Sequence, residues 1–209
     1  FFHLDPLWSD ANIGFIGIDN YMPLSDWRDG FDHADAQEGW PAIHDRGYLQ
    51  ANIAGGEGFD WFYASAADRS AQVRTLITDG AAAKPWVFRY KDLRAWWSNA
   101  HYDRPGGVES GTPTAWAPQS KPIWFTELGC PAIDRGTNQP NAFFDMKSSE
   151  SFTPYFSRGW RDDAIQRGAV EGYVIGALES PRASISTLAR HFGFDAIETE
   201  GVIRFVTRG

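Results

Sequence analysis

The chain has 209 residues, 43% of them hydrophobic, enough for one well-cored domain or one domain and a fraction. With 19 Lys+Arg against 27 Asp+Glu the net charge is −8, and the absence of a basic block excludes nucleic-acid binding by phosphate neutralisation. Ten Trp, 15 Phe and 7 Tyr exclude a disordered chain, the single Cys excludes an internal disulfide framework or a Cys-built zinc site, and no apolar run reaches the roughly 18 residues of a membrane span.

The chain opens F-F-H-L-D-P-L-W, with Phe1 in place of Met and no signal-peptide pattern, and reads as an internal piece of something larger. Residues 13–19, I-G-F-I-G-I-D, predict a strand buried on both faces, as in a parallel sheet, with Asp19, Asn20 and Tyr21 following at its C-terminal end. A glycine-rich stretch, A-G-G-E-G-F-D-W (54–61), comes next. Ser65 and Asp68 then form a capping-box pattern at the start of a helix. Tyr90, Leu93 and Trp97 lie at helical spacing and predict a helix over 89–98. Residues 122–130, P-I-W-F-T-E-L-G-C, repeat the first design: an apolar strand, then Thr126 and Glu127, then a Gly turn. Residues 151–167 predict a helix whose regular part follows Pro154.

All ten Trp lie between Trp8 and Trp160, so the tail is compositionally distinct. Ser180-Pro181 reads as N-cap and first helical residue. Ile185, Leu188, Ala189 and Phe192 mark the apolar stripe that follows, and Gly193 the stop. Residues 196–199 and 202–206 flank Glu200-Gly201 as a hairpin.

Functional residues of a parallel α/β barrel come from the C-terminal ends of its strands. A Glu in that position beside aromatic residues is what glycoside cleavage needs: one carboxylate attacks or supports the anomeric centre, and another protonates the leaving oxygen. Glu127 fits the first role, although a structural Glu paired with a core Arg is the plain alternative. Glu57 and Asp60 sit in a loop that serves either a ligand or merely a tight turn. Asp19 is a third carboxylate, of a kind that orients neighbours, and Tyr21 can reach a carboxylate across the site.

Other chemistry is poorly supported. The glycine loop lacks the spacing of a nucleotide fingerprint, and Ser110 lacks that of a nucleophile elbow. The five His show no ligand spacing, and Asp32, His33 and Asp35 read as a solvated loop, so no metal and no cofactor is expected. Cys130 reads as a small buried hydrophobe, and Arg89, Tyr90, Lys91 and Arg94 as a solvated helix face.

Four long runs are specific enough to carry a resemblance: G-I-D-N-Y-M-P-L-S-D-W-R-D-G (17–30), N-I-A-G-G-E-G-F-D-W-F-Y (52–63), residues 77–97, and S-K-P-I-W-F-T-E-L-G-C-P-A-I-D-R-G-T-N-Q-P-N (120–141). They resemble the barrel-like domain family of the large tail-tip proteins of gene transfer agents and related phages, the megatron or host-specificity proteins of the baseplate. The likeness spans residues 1–167, and residues 168–209 resemble a hub-like module that follows the barrel.

This resemblance implies an α/β fold: a partial glycoside-hydrolase-like TIM barrel followed by a small α+β tail-hub segment. Residues 13–19 then correspond to the sixth strand and 122–127 to the seventh. Glu127 falls where retaining glycosidases of this barrel type hold the nucleophile, and Tyr21 where a tyrosine contacts it, with Asp19 in support. Trp61, Trp97 and Trp124, with Glu57 and Asp60, would line the sugar site. The acid/base Glu belongs to the fourth strand, expected upstream of Phe1. The family also carries an eighth strand and a Trp-rich stretch where Gly168 directly follows Arg167 here, so a missing segment is expected between those residues. Expected partners are other tail and baseplate proteins, further copies in a homo-oligomer (a trimer), recipient envelope glycan, and DNA that passes without specific binding. The place of action implied is the tail tip or baseplate of a virus-like particle at the recipient cell envelope. Three functions follow from this: a structural hub, a retaining glycosidase, or a barrel that binds glycan without cleaving it.

Overall fold

The computed structural model describes residues 2–145, 147–175, 194–199 and 202–207. It divides into two compact units, Phe1–Tyr173 and Val174–Gly209. Among the described residues no helix is long and apolar enough to cross a membrane.

The first unit is mixed α/β. Short helices α1 (Asp5–Trp8), α2 (Ala34–Gln37), α3 (Arg46–Ala51), α4 (Ala66–Ala71) and α5 (Leu93–Ser98) are interspersed with strands β1 (Ile16–Asn20), β2 (Trp61–Phe62), β3 (Thr75–Leu76) and β4 (Ile123–Leu128), and α6 (Asp163–Ile175) follows. Strands β1 and β4 pair in parallel, and β2 and β3 antiparallel. Parallel neighbours need a long crossover, and residues 21–122 supply it. The expected parallel α/β arrangement is therefore present as a two-stranded sheet, with no closed barrel among the described residues.

Strand β1 departs from expectation in two ways. It starts at Ile16, and only Ile16 and Asn20 are buried, while Gly17 and Asp19 face solvent. Among the described residues β1 has one partner strand, β4. Register runs Ile16↔Ile123, Gly17↔Trp124 and Ile18↔Phe125, then shifts so that Asp19 pairs with Glu127. The core lies beside this sheet and is built from Leu24, Trp27, Ile43, Tyr48, Leu49, Cys130, Ile165 and Ala169. Helix α6 approaches closely at Gly168, where a Cβ would meet Leu49 Cδ1 at 3.1 Å. Its Tyr173 ring meets Phe125 edge-on at 5.7 Å.

Helix starts are set by side-chain caps that occupy otherwise unbonded N–H groups. Ser65 Oγ accepts from Asp68 N at 3.1 Å and donates to the Asp68 carboxylate at 2.6 Å, which realises the predicted capping pattern. Asp45, Asp92 and Asp162 cap α3, α5 and α6 in the same manner. The helix predicted over 89–98 is shorter, because Asp92 caps at its own position and Lys91 N turns away to Gly58 O at 3.3 Å. The helix predicted after Pro154 begins only at Asp163. Asp134 gathers Ser157 Oγ and the N–H groups of Arg158 and Trp160, holding that stretch in a loop.

In the second unit, β5 (Phe194–Thr199) and β6 (Val202–Thr207) pair antiparallel from Phe194↔Thr207 to Thr199↔Val202, the predicted hairpin. The helix predicted over 180–193 lies outside the described residues.

Candidate functional site

The site starts at the C-terminal ends of β1 and β4, where the chain leaves the ladder and side chains are released from sheet packing. Tyr21 Oη donates to Glu127 Oε2 at 2.6 Å. Glu127 is exposed, so this phenol, not a core Arg, is the partner the structure gives it. The bond to the Glu127 carboxylate raises the Tyr21 pKa above the usual phenol range and keeps the donor proton in place. Beside it, Thr126 Oγ1 donates to Asp19 Oδ1 at 2.6 Å. The register shift makes this arrangement possible: it skips Thr126 and sets Asp19 against Glu127.

Asp19 and Tyr21 open onto a cleft of about 440 Å³ whose other walls include Glu57, Arg69, Tyr90, Gln139, Asn141 and Tyr155. Glu57 arrives there through the glycine-rich loop. Gly56 and Gly58 adopt φ of +67° and +81°, a region costly for other residues. Asp60 closes the turn by accepting from Gly56 N at 2.8 Å, and Gly58 N donates to Trp61 O at 2.8 Å. Asp60 therefore acts in the turn itself and lines a different cleft, shared with Trp61 and Arg74.

Glu57 carries a firm partner. Arg69 donates from both terminal nitrogens to its two oxygens, at 2.7 and 2.5 Å. The guanidinium is in turn flanked by the rings of Tyr63 and Tyr155, 4.7 and 4.0 Å from their centroids. This two-point geometry is the strong form of an ion pair.

Lys91 was expected on a solvated helix face, but it is only 5% exposed. Its Nζ donates to Pro23 O at 2.6 Å and Gly55 O at 2.7 Å, tying the segment after β1 to the glycine loop. Burial pulls its pKa down to about 7, partly opposed by the Glu57 and Asp60 charges.

The predicted tryptophans are placed elsewhere. Trp61 is buried, with Arg74 over its ring at 4.2 Å. Trp97 donates from Nε1 to Lys121 O at 2.6 Å, and Trp124 stacks on Phe15 at 4.2 Å. None of the three is among the residues lining the 440 Å³ cleft. The structure thus brings Asp19, Tyr21, Glu57 and Glu127 into one neighbourhood and sets Asp60, Trp61, Trp97 and Trp124 outside the lining. Arg69, Tyr90 and Tyr155, which do line the cleft, were missed as site residues, and nothing in their local spacing points to it.

A second correction concerns Asp32, His33 and Asp35. Asp32 is exposed, but His33 and Asp35 are buried. Asp35 accepts from Tyr48 Oη and Arg74 Nη2, and Arg74 Nη2 also reaches Asp26 at 3.1 Å. Asp26 additionally accepts from Tyr63 Oη at 2.5 Å and Arg28 Nη2 at 2.8 Å. This is an interior ion network. Burial holds the His33 pKa below the usual imidazole value. Cys130 is buried, and its thiol is pushed up to about 12 by desolvation, which leaves it a poor nucleophile. Among the described residues no group of three or more His, Cys, Asp or Glu is arranged to hold a metal ion.

The family model described as "GTA TIM-barrel-like domain" matches residues 1–203. No curated protein matches the chain.

Proposed function

We propose, for a chain that belongs to the family of GTA TIM-barrel-like domains, a role in the tail tip or baseplate of a gene transfer agent or phage-like particle, where its barrel-type site engages recipient envelope glycan during DNA delivery. Membership of a gene transfer agent family supports a component of a virus-like particle. The tail-tip placement, association into a homo-oligomer with neighbouring tail proteins, and the division into a barrel part (1–167) and a hub part (168–209) with a segment absent between them belong to the same proposal.

One observation carries the glycan reading: the Tyr21–Glu127 hydrogen bond at adjoining ends of two parallel strands. A carboxylate held by a phenol at a strand end is positioned to attack an anomeric carbon. In that reaction Glu127 forms a bond to the anomeric carbon as the bond to the leaving oxygen breaks. A second carboxylic acid gives that oxygen its proton and then deprotonates the water that releases the sugar. Tyr21 orients Glu127 by donating to the oxygen that does not attack. Asp19 supports the site through Thr126.

A second reading, glycan binding without cleavage, draws on a different observation. Glu57 is committed to Arg69 and Asp60 to the Gly56 turn, so neither is free to be the acid. One experiment separates the readings: the purified protein on peptidoglycan and outer-membrane polysaccharide, wild type against Glu127→Gln. Product from wild type alone supports cleavage. Binding without product supports the second reading, and equal product from both removes Glu127 from the mechanism. Neither product nor binding leaves the scaffold role alone.

A further inference from the structure

We propose that the cleft beside Tyr21 selects uncharged glycan over acidic glycan, and that Glu57 is the residue that sets this selection. The inference rests on the glycan reading above and names the substrate class of that same site.

Among the described residues that line the cleft, Arg69 is the one cation. An arginine fork in a sugar cleft is the natural receptor for a uronic-acid carboxylate or a sugar phosphate, because its planar donors match two acceptor oxygens at once. Here Glu57 occupies that fork: both terminal nitrogens of Arg69 bond the two Glu57 oxygens. Both partners are largely buried, with side-chain exposures of 15% and 13%, so water does not readily displace the pair. The rings of Tyr63 and Tyr155 flank the guanidinium. An acidic sugar would therefore have to displace Glu57 before it met a positive charge.

The remaining charge among the described residues that line the cleft points the same way. Asp19 lines the cleft as a carboxylate, and Glu127 stands next to it through Tyr21. The Lys91 ammonium lies close to Glu57 and Asp60 but is bonded to the Pro23 and Gly55 carbonyls, and it does not line the cleft. A ligand carboxylate would meet like charge without compensation, a repulsive device of the kind that sets specificity. An uncharged chain meets acceptors for its hydroxyls, the amides of Gln139 and Asn141, and the exposed ring of Tyr90.

The test measures binding of uncharged hexasaccharides built on glucose, mannose or N-acetylglucosamine, and of acidic galacturonate and glucuronate hexasaccharides, to the purified protein at low salt. Wild type should bind at least one uncharged chain tighter than every acidic one, by roughly tenfold or more. Glu57→Gln, which frees the Arg69 fork, should shift that ratio toward the acidic chains by roughly tenfold or more. Adding Arg69→Gln should abolish the gain. Glu57→Asp, which keeps the ion pair, should retain the wild-type ratio, so the result does not hang on one variant folding. A wild-type preference for an acidic chain, or a ratio unmoved in Glu57→Gln, overturns the inference while the glycan reading stands. Failure of every chain to bind any variant overturns the glycan reading itself.

Discussion

Gly58 lies so close under the ring of Tyr90 that a Cβ on it would stand 2.2 Å from Tyr90 Cζ and 2.5 Å from its Oη. This contact places Tyr90 where three clefts meet: the one lined by Asp19 and Tyr21, the apolar one lined by Phe62 and Leu76, and the one beneath Trp86 and Trp96. Gly58 also holds φ at +81° and accepts from Lys91 N, so backbone and side chain are fixed together.

Gly58→Ala should therefore be costly twice over, through a strained backbone and through displacement of Tyr90. The expected loss is roughly 2 kcal/mol or more in chemical denaturation. Adding Tyr90→Ala should recover only the part due to the clash. A double variant no more stable than the single one would show that the backbone carries all of the cost.

Tyr21→Phe removes the donor to Glu127 and little else. Stability should stay within about 0.5 kcal/mol of wild type. If the site cleaves glycan, kcat should fall by roughly tenfold or more with a smaller change in KM, because the oriented carboxylate matters most in the transition state. Steady-state kinetics on any glycan turned over by wild type checks this, and an unchanged kcat would remove Tyr21 from the mechanism.

Lys91 makes stability depend on pH with a definite sign. Its pKa is 10.5 in an ordinary setting and about 7 in the fold. Between those values the unfolded chain holds the extra proton, so stability due to this residue rises with pH from about 7 toward 10, by an amount on the order of a few kcal/mol. Below pH 7 both states are charged and the full cost of burying the ammonium remains. Urea denaturation across this window should show the rise in wild type, and Lys91→Met should flatten it. Equal slopes in the two proteins would rule Lys91 out as its source.

Asp35 and Asp29 offer a contrast between buried and exposed ion pairs. Asp35 is buried against Arg74 and Tyr48, so Asp35→Asn should cost roughly 3–5 kcal/mol by leaving Arg74 short of a counter-charge. Asp29 bonds Arg135 and Arg158 at 64% side-chain exposure, and Asp29→Asn should leave the melting midpoint unmoved. Comparable losses in both would contradict this account of the network.

What could be seen in the sequence divides along a physical line. Strand positions, the Ser65 cap and the 199/202 hairpin depend on neighbours a few residues apart, and local pattern exposes them. Glu127 and Tyr21 were visible because strand ends are marked by apolar runs, although their meeting spans 106 positions. Lys91 and Asp35 were misjudged for the opposite reason. A charged side chain reads as solvated unless its distant partners are known, and nothing near Lys91 in sequence says that the Pro23 and Gly55 carbonyls converge on it. The tryptophans were ambiguous for another reason: an excess of rings fits a packed interior and a sugar platform equally well, and Trp61 went to the interior.

The shift in register between β1 and β4 is a matter of one residue, and that extra residue brings a further polar side chain to the site. Thr126 is the position passed over when Asp19 comes to face Glu127. Deleting Thr126 would give a more regular ladder and leave Glu127 opposite Asp19, on the face it shares with Tyr21, while removing the hydroxyl that donates to Asp19. A single codon lost at this point would leave the Tyr21–Glu127 pair in register and free Asp19 from its threonine partner.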